Sequence, residues 1–158
     1  PNKVLAKFFN HSKYKIVDNA LITAKIDKDI FGQFVISKTN PGISNGLELK
    51  IVGSKKTVFW NQVEPEKLIM FNLDGTKTIL DRSSAVYEAN KERYNRYKPG
   101  HPSGFLEAFA NIYLDLANEV IFKKKNDYTF GLRSSQKISN FCDASIKSDK
   151  SGKWIKVI

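Results

Sequence analysis

Residues whose types and spacing could do chemistry are few in this chain. His11 and His101 are its two histidines. They stand far apart, and neither has a carboxylate or second histidine at the helical spacing of a metal centre, so no metal-ligand set is expected. Cys142 is the single cysteine. It excludes an internal disulfide and leaves no second thiol for zinc; lying on the apolar spacing of a helix, it reads as a buried structural thiol rather than a nucleophile. Carboxylates are plentiful, but two arbitrary acids do not specify glycoside hydrolysis without geometry. No two glycines are separated by one residue and no Walker-type loop is present, so neither a dinucleotide turn nor a phosphate cradle is legible. No catalytic residue is assigned on these grounds.

One segment mixes charge with aromatic rings. Residues 91–98 interleave Lys91, Arg93, Arg96 and Lys98 with Tyr94 and Tyr97, as a surface that stacks bases and tracks phosphates would. No wider recognition motif accompanies it, and the favoured reading is a tyrosine-anchored connector with solvated charges. The whole chain carries 26 basic against 16 acidic residues, a net +10, which favours acidic partners. Its lysines are spread along the sequence rather than gathered on one face, so nucleic acid is not the expected partner.

The elements that must position these residues follow from periodicity. Leu47, Leu49 and Ile51 alternate with Glu48 and Lys50, as a strand with one buried face does. Residues 20–26, 31–37, 57–62 and 67–73 add β-branched and aromatic runs. Asp74-Gly75, residues 53–56 and residues 27–29 carry reversal chemistry between them. Six strands between about residues 19 and 81 form an antiparallel meander on this reading. After Ser103, a credible N-cap with Pro102 outside it, Phe105, Phe109, Ile112, Tyr113, Leu116 and Val120 recur at three and four, predicting an amphipathic helix of about five turns. A second helix is expected over about 132–147, supported by Ile138, Phe141, Cys142 and Ile146, then a break at Gly152 and a final strand over 153–158. Residues 81–103 show little periodicity, long for a structureless connection, so they hide a short helix near 84–94 or serve a purpose of their own. The class is α+β, strands first and helices later.

A chain of 158 residues is about one domain, and 41% apolar with 12% aromatic residues is the profile of an ordered one. No stretch approaches the ~20 apolar residues of a membrane span and the N-terminus has no signal-peptide core. A soluble, cytoplasmic protein is expected.

Tyr97-Lys98-Pro99-Gly100-His101-Pro102-Ser103-Gly104-Phe105-Leu106-Glu107-Ala108-Phe109-Ala110-Asn111-Ile112-Tyr113 resembles the Gly-His-Pro-x-Gly-aromatic and Glu-Ala-Phe-x-Asn-x-Tyr signature found in the C-terminal domain of the glucose-fructose oxidoreductase, inositol dehydrogenase and rhizopine-catabolism (Gfo/Idh/MocA) proteins. Upstream, Ser37, Gly42, Asn45-Gly46-Leu47-Glu48-Leu49 and Ile51-Val52-Gly53-Ser54-Lys55 are similar to that family's strand pair. Phe59-Trp60-Asn61-Gln62 and Glu64-Pro65-Glu66-Lys67-Leu68 are similar to the segment after it. Gly131-Leu132-Arg133, Ala144-Ser145, Ser148 and Gly152-Lys153-Trp154-Ile155 are similar to its closing helix and last strand.

The resemblance implies a single C-terminal domain over residues 1–158, a large, mainly antiparallel sheet with helices on one face. It implies an NAD- or NADP-dependent sugar or polyol oxidoreductase as the parent protein, its cofactor held by an N-terminal Rossmann domain that is absent here. The family's catalytic lysine and its Asp-x-x-x-His pair have no counterpart. Glu64-Pro65-Glu66-Lys67 has the letters of the lysine motif in another order, and neither Asp18 nor Asp29 has a histidine four residues on. This half would then bind substrate and make a homodimer through the sheet, whose strands, notably 68–73, are apolar on both sides. His101 is the first candidate for substrate contact, with bracing of its loop as the equal alternative. Asn45 is the second, set against an asparagine that fixes its own turn. The competing class is a stand-alone module that binds nucleic acid or another acidic partner, or a scaffold without activity.

Overall fold

The computed structural model describes residues 1–43, 45–86, 88–101 and 103–158. Its elements run β1 (Lys3–Phe9), β2 (Asn19–Lys25), β3 (Phe31–Ser37), β4 (Glu48–Val52), β5 (Lys56–Asn61), β6 (Leu68–Asn72), β7 (Lys77–Leu80), α1 (Phe105–Phe122), α2 (Leu132–Ser151) and β8 (Ile155–Lys156). They fall into two compact units, Pro1–Gly42 with Phe130–Ile158, and Ile43–Thr129.

The first unit is a four-stranded antiparallel sheet, ordered β3-β2-β1-β8, against which α2 packs. Register places Val4 opposite Ala24, Ala6 opposite Ile22 and Phe8 opposite Ala20, and these residues form the core with Ala144 of α2. Strand alternation thus delivers one apolar face, and small residues on both sides let helix and sheet come close. The buried positions of α2 are Ala144, Ser145 and Ser148. The Ser148 hydroxyl accepts from the Ala6 N–H at 2.9 Å and donates to the Lys153 carbonyl at 2.7 Å. Ser145 returns its hydroxyl to the Phe141 carbonyl. Gly152, at φ 67°, takes the left-handed turn that stops α2 and donates its N–H to the Ser148 carbonyl.

Asp18 ties the β1–β2 connection. Burial opposes its charge, yet the N–H groups of His11 and Ser12, with the Ser12 and Asn19 side chains, hold its carboxyl far below the ordinary carboxylate range.

The second unit is a four-stranded antiparallel sheet, ordered β4-β5-β6-β7. Leu49 pairs with Trp60, Trp60 with Leu68 and Leu68 with Leu80, which makes one apolar row across one face. Phe59, Ile69 and Ile79 form the corresponding row on the other. The hairpin between β6 and β7 turns at Gly75, φ 82°, and the Asp74 carboxylate accepts the Thr76 N–H at 2.9 Å.

Several expectations are revised. The α+β class and antiparallel pairing hold, but the strands are divided between two sheets rather than joined in one large one, and β1, unread in the sequence, is an inner strand of the first. Cys142 is exposed, not buried: Ala144, Ser145 and Ser148 take the sheltered side of α2, so Ile138, Cys142 and Ile146 turn outward. Ser103 is not the N-cap of α1. Gly104 is, and its N–H donates to the Glu107 carboxylate at 2.8 Å. Pro102 lies outside the described residues. The apolar stripe of α1 is also exposed, with Phe105 at 72% and Val120 at 66%, and the buried residue of this helix is Asp115.

Candidate functional site

The sheltered side of α1 explains that inversion and borders a cavity of the second unit. Glu107, Asn111 and Asp115 recur every four residues and so share one face of α1. Each finds a partner in the N-terminal cap or in the connector over residues 81–103. Glu107 accepts from the Gly104 N–H. The Asn111 amide oxygen accepts from Arg96 Nη2 at 2.7 Å. The Asp115 carboxylate takes both Arg93 Nη1 and Nη2, at 2.9 and 2.8 Å. Paired polar groups can be sheltered where unpaired ones cannot, so this helix turns its hydrogen-bonding face inward.

Among its described residues the connector does not form the short helix expected near 84–94. It is a chain of turns: the Asp81 carboxylate accepts the N–H groups of Ser83 and Ser84, at 2.8 and 3.1 Å, and the Tyr94 and Asn95 N–H groups return to the Lys91 carbonyl. Its cations are largely engaged within the protein. Arg93 lies 3.8 Å from the Tyr128 ring centroid and 5.1 Å from that of Tyr94, and Lys91 pairs with Glu88 at 2.8 Å. The expected anchoring by tyrosines with solvated charges is thus corrected: Tyr94 and Tyr97 are exposed, and Arg82, Arg93 and Arg96 tie the connector down through Glu66, Asp115 and Asn111.

A cavity of about 500 Å³ lies between this connector, the first turns of α1 and the Trp60-Leu68-Leu80 row of the sheet. Glu66 and Arg82 frame it. The Glu66 carboxylate pairs with Arg82 Nε and accepts the Ser103 hydroxyl at 2.9 Å. Arg82 Nη1 and Nη2 donate to the carbonyls of Tyr97 and His101. The Trp60 indole N–H donates to the Pro65 carbonyl at 3.0 Å, which fixes the ring against the wall. The Gly104 N–H draws the Glu107 carboxyl below its ordinary range, and Arg96 and Arg82 add to the effect.

The two residues singled out from the sequence stand outside the cavity wall. His101 is exposed; its Nδ1 lies 3.1 Å from the Lys98 carbonyl oxygen, and its own carbonyl receives Arg82. Its Nε2 has no protein partner among the described residues. Asn45, at φ 44°, occupies the left-handed region that asparagine tolerates, and its carbonyl accepts the Leu47 N–H at 2.9 Å before β4 begins. Glu66, Arg82, Asn111 and Asp115 were missed as site residues. For Asn111 and Asp115 the signal was the run of polar residues at spacing four inside an apolar helix; Glu66 and Arg82 carried none.

Among the described residues no group of histidine, cysteine and acid side chains could hold a metal ion, and no helix is long and apolar enough to cross a membrane. The doubly wound dinucleotide fold holds its pyrophosphate where a strand turns directly into a helix within a parallel pair. Among the described residues the ladders are antiparallel, and α1 follows β7 only after the connector, so the described residues do not fit a dinucleotide held in that way.

Residues 3–157 match the model of an oxidoreductase family's C-terminal alpha/beta domain. A relative, the uncharacterized oxidoreductase YfiI of Bacillus subtilis (strain 168), is 28% identical over 119 residues, covering 75% of this chain and 30% of its own. The crystal structure of an oxidoreductase from Sinorhizobium meliloti superposes with a TM-score of 0.86 at 28% identity, over 98% of this chain and 46% of that one. An inositol dehydrogenase homolog from Azotobacter vinelandii, solved with NADH and myo-inositol, shares the fold with a TM-score of 0.84 at 18% identity, over 98% of this chain and 44% of that one. The chain therefore spans less than half the length of these proteins.

Proposed function

Because this chain belongs to the Gfo/Idh/MocA oxidoreductases as their C-terminal α/β domain, we propose that it is the substrate-binding and dimerisation part of an NAD(P)-dependent sugar or polyol oxidoreductase. The observation that carries this reading is the match over residues 3–157, supported by the inositol dehydrogenase homolog solved with NADH and myo-inositol. Bound nicotinamide supplies the hydride acceptor in such chemistry. It would be held by a Rossmann domain N-terminal to these residues, and the groups that move the hydroxyl proton would also come from there.

The part left to this domain is positioning. Among the described residues His101 keeps Nε2 free beside the start of α1 while Nδ1 and its backbone carbonyl are braced. That leaves one ring nitrogen to meet a sugar hydroxyl. Asn45 offers a short amide side chain on an exposed turn and is the second contact. The sheet β4–β7 keeps Val52, Phe71 and Ile79 exposed on the face opposite the cavity, and an uncovered apolar sheet face suits a homodimer.

The intact mass of the native gene product, taken from its own cells, tests the assignment. The proposal expects a chain longer by about one domain at its N-terminus; a product beginning at Pro1 would remove it. In that longer protein, His101→Ala is expected to raise KM for the polyol or lower turnover, and unchanged kinetics would dismiss His101 as a substrate contact.

A further inference from the structure

We infer that the face of the first sheet turned away from α2 carries an oligophosphate site, in which Lys156, Lys3 and Lys25 hold linked phosphoryl groups between the rings of Trp154 and Phe31.

Strand register builds the row. Lys3 of β1 stands opposite Lys25 of β2 on one side and opposite Lys156 of β8 on the other. Their chain neighbours Val4, Ala24 and Ile155 belong to the core against α2 or pack on it, so strand alternation sends the three lysines to the other face. Three neighbouring strands span two strand spacings, about 10 Å. A ring closes each end. Lys25 pairs with Phe31 of β3 and holds its Nζ 5.6 Å from that ring's centroid. Lys3 Nζ lies 5.1 Å from the centroid of Trp154, which leads into β8. Both rings are exposed, as are Lys3 and Lys156.

Like charges directly opposite each other on neighbouring strands destabilise a sheet, and Lys3 makes such a pair on both sides. Elsewhere lysines find acids: Lys7 pairs with Asp149, Lys67 with Glu64 and Lys91 with Glu88. Among the described residues no carboxylate pairs with Lys3, Lys25 or Lys156. An anion that bridges the ammonium groups turns this repulsion into attraction.

The cations select the anion. Lysine is a compact point charge suited to phosphate, whereas the arginine fork matches a planar carboxylate, and no arginine belongs to the row. Three cations in a line suit several negative charges in a line, which linked phosphoryl groups supply and a single phosphate does not. The two rings are already engaged by the row's own ammonium groups, so the phosphate chain, rather than a stacked base, carries the binding.

Calorimetric titration of the native gene product with sodium tripolyphosphate, at ionic strength held constant with NaCl, is expected to saturate. Lys3→Gln and Lys156→Gln, each confirmed folded by its thermal melt, should weaken the affinity by about tenfold or more. Lys137→Gln removes the same charge from an exposed position of α2 and should keep the parent affinity. Without ligand, Lys3→Gln should melt no lower than the parent, because a like-charge contact is relieved. A nucleoside triphosphate that binds as tightly as tripolyphosphate would place the affinity in the phosphate chain and support the site. Heats that fail to saturate, or equal weakening in Lys3→Gln and Lys137→Gln, overturn it. So does a lower melting temperature in Lys3→Gln with unchanged affinity, which would assign the row to the fold. Binding of a single-stranded oligonucleotide without binding of tripolyphosphate would replace the site with a nucleic-acid surface.

Discussion

Arg93 and Asp115, from the connector and the middle of α1, form a two-toothed ion pair at 2.9 and 2.8 Å with only 20% and 12% of their side chains exposed. The pair holds an otherwise apolar helix to a chain of turns and forms part of the frame behind the cavity. Removing one partner leaves a sheltered charge unpaired. Asp115→Asn is expected to destabilise the protein by about 3 kcal/mol, the low end for a buried pair because both groups retain some water contact. Urea unfolding monitored by circular dichroism measures it; a loss below about 0.5 kcal/mol, the scale of a surface substitution, would show that the pair does not hold the connector.

Ser148 does comparable work in the other unit with a neutral group. Its hydroxyl satisfies the buried Ala6 N–H and the Lys153 carbonyl together. Ser148→Ala removes both bonds without adding bulk, and the expected cost is about 1–3 kcal/mol. Ser148→Thr keeps the hydroxyl and places a methyl group where the residue is 0% exposed, so it too should destabilise, by overpacking. Thermal melts of the two variants check this, and wild-type stability in the alanine variant would show the bonds to be dispensable.

Acid should weaken the unit built from β1–β3, α2 and β8. The carboxyls of Asp18 and Asp149 are both held below their ordinary range, Asp18 by the N–H groups of His11 and Ser12 against the effect of burial, and Asp149 chiefly by the Phe8 N–H. The unfolded chain binds these protons near pH 4, and the folded chain only at lower pH. Stability contributed by the two groups is therefore complete above about pH 5 and declines as the pH falls through 4 toward the folded values. In Asp18→Asn the acid limb of a stability-against-pH curve should be flatter; an unchanged limb would contradict the assignment.

How much of this was legible in the sequence depends on what each element buries. The hairpins were legible because Asp74-Gly75 and the alternation in β4 are local signals. So was the start of α1 to within a residue or two, although the cap passed from Ser103 to Gly104 once the Ser103 hydroxyl was engaged by Glu66. The helix faces were not legible. Apolar periodicity marked Phe105, Phe109 and Ile112 as the inner side of α1, but it says nothing about distant partners, and Arg93 and Arg96 bring Asp115 and Asn111 inward instead. In α2 the same reasoning chose Cys142 and Ile146, whereas close approach to β1 favours the smaller Ala144, Ser145 and Ser148. The cavity escaped notice because it is built by residues between Trp60 and Asn111 that no spacing rule connects.

The exposed face of the second sheet carries the assembly prediction. Ile79→Lys adds a charge at the β7 end of the Phe59-Ile69-Ile79 row, which costs little on a solvated edge strand and much at an apolar interface. Sedimentation of the unmodified protein at micromolar concentration is expected to show a dimer and that of the variant a monomer. A monomer in both would remove the sheet as an interface.

The most direct test of the central claim is nicotinamide reduction by the native gene product, followed at the absorbance of the reduced cofactor with NAD or NADP and a panel of inositols, hexoses and anhydrosugars. The account predicts turnover that saturates in at least one polyol and requires one of the two nucleotides. A native product, folded and pure, that reduces neither nucleotide with any member of the panel would contradict it.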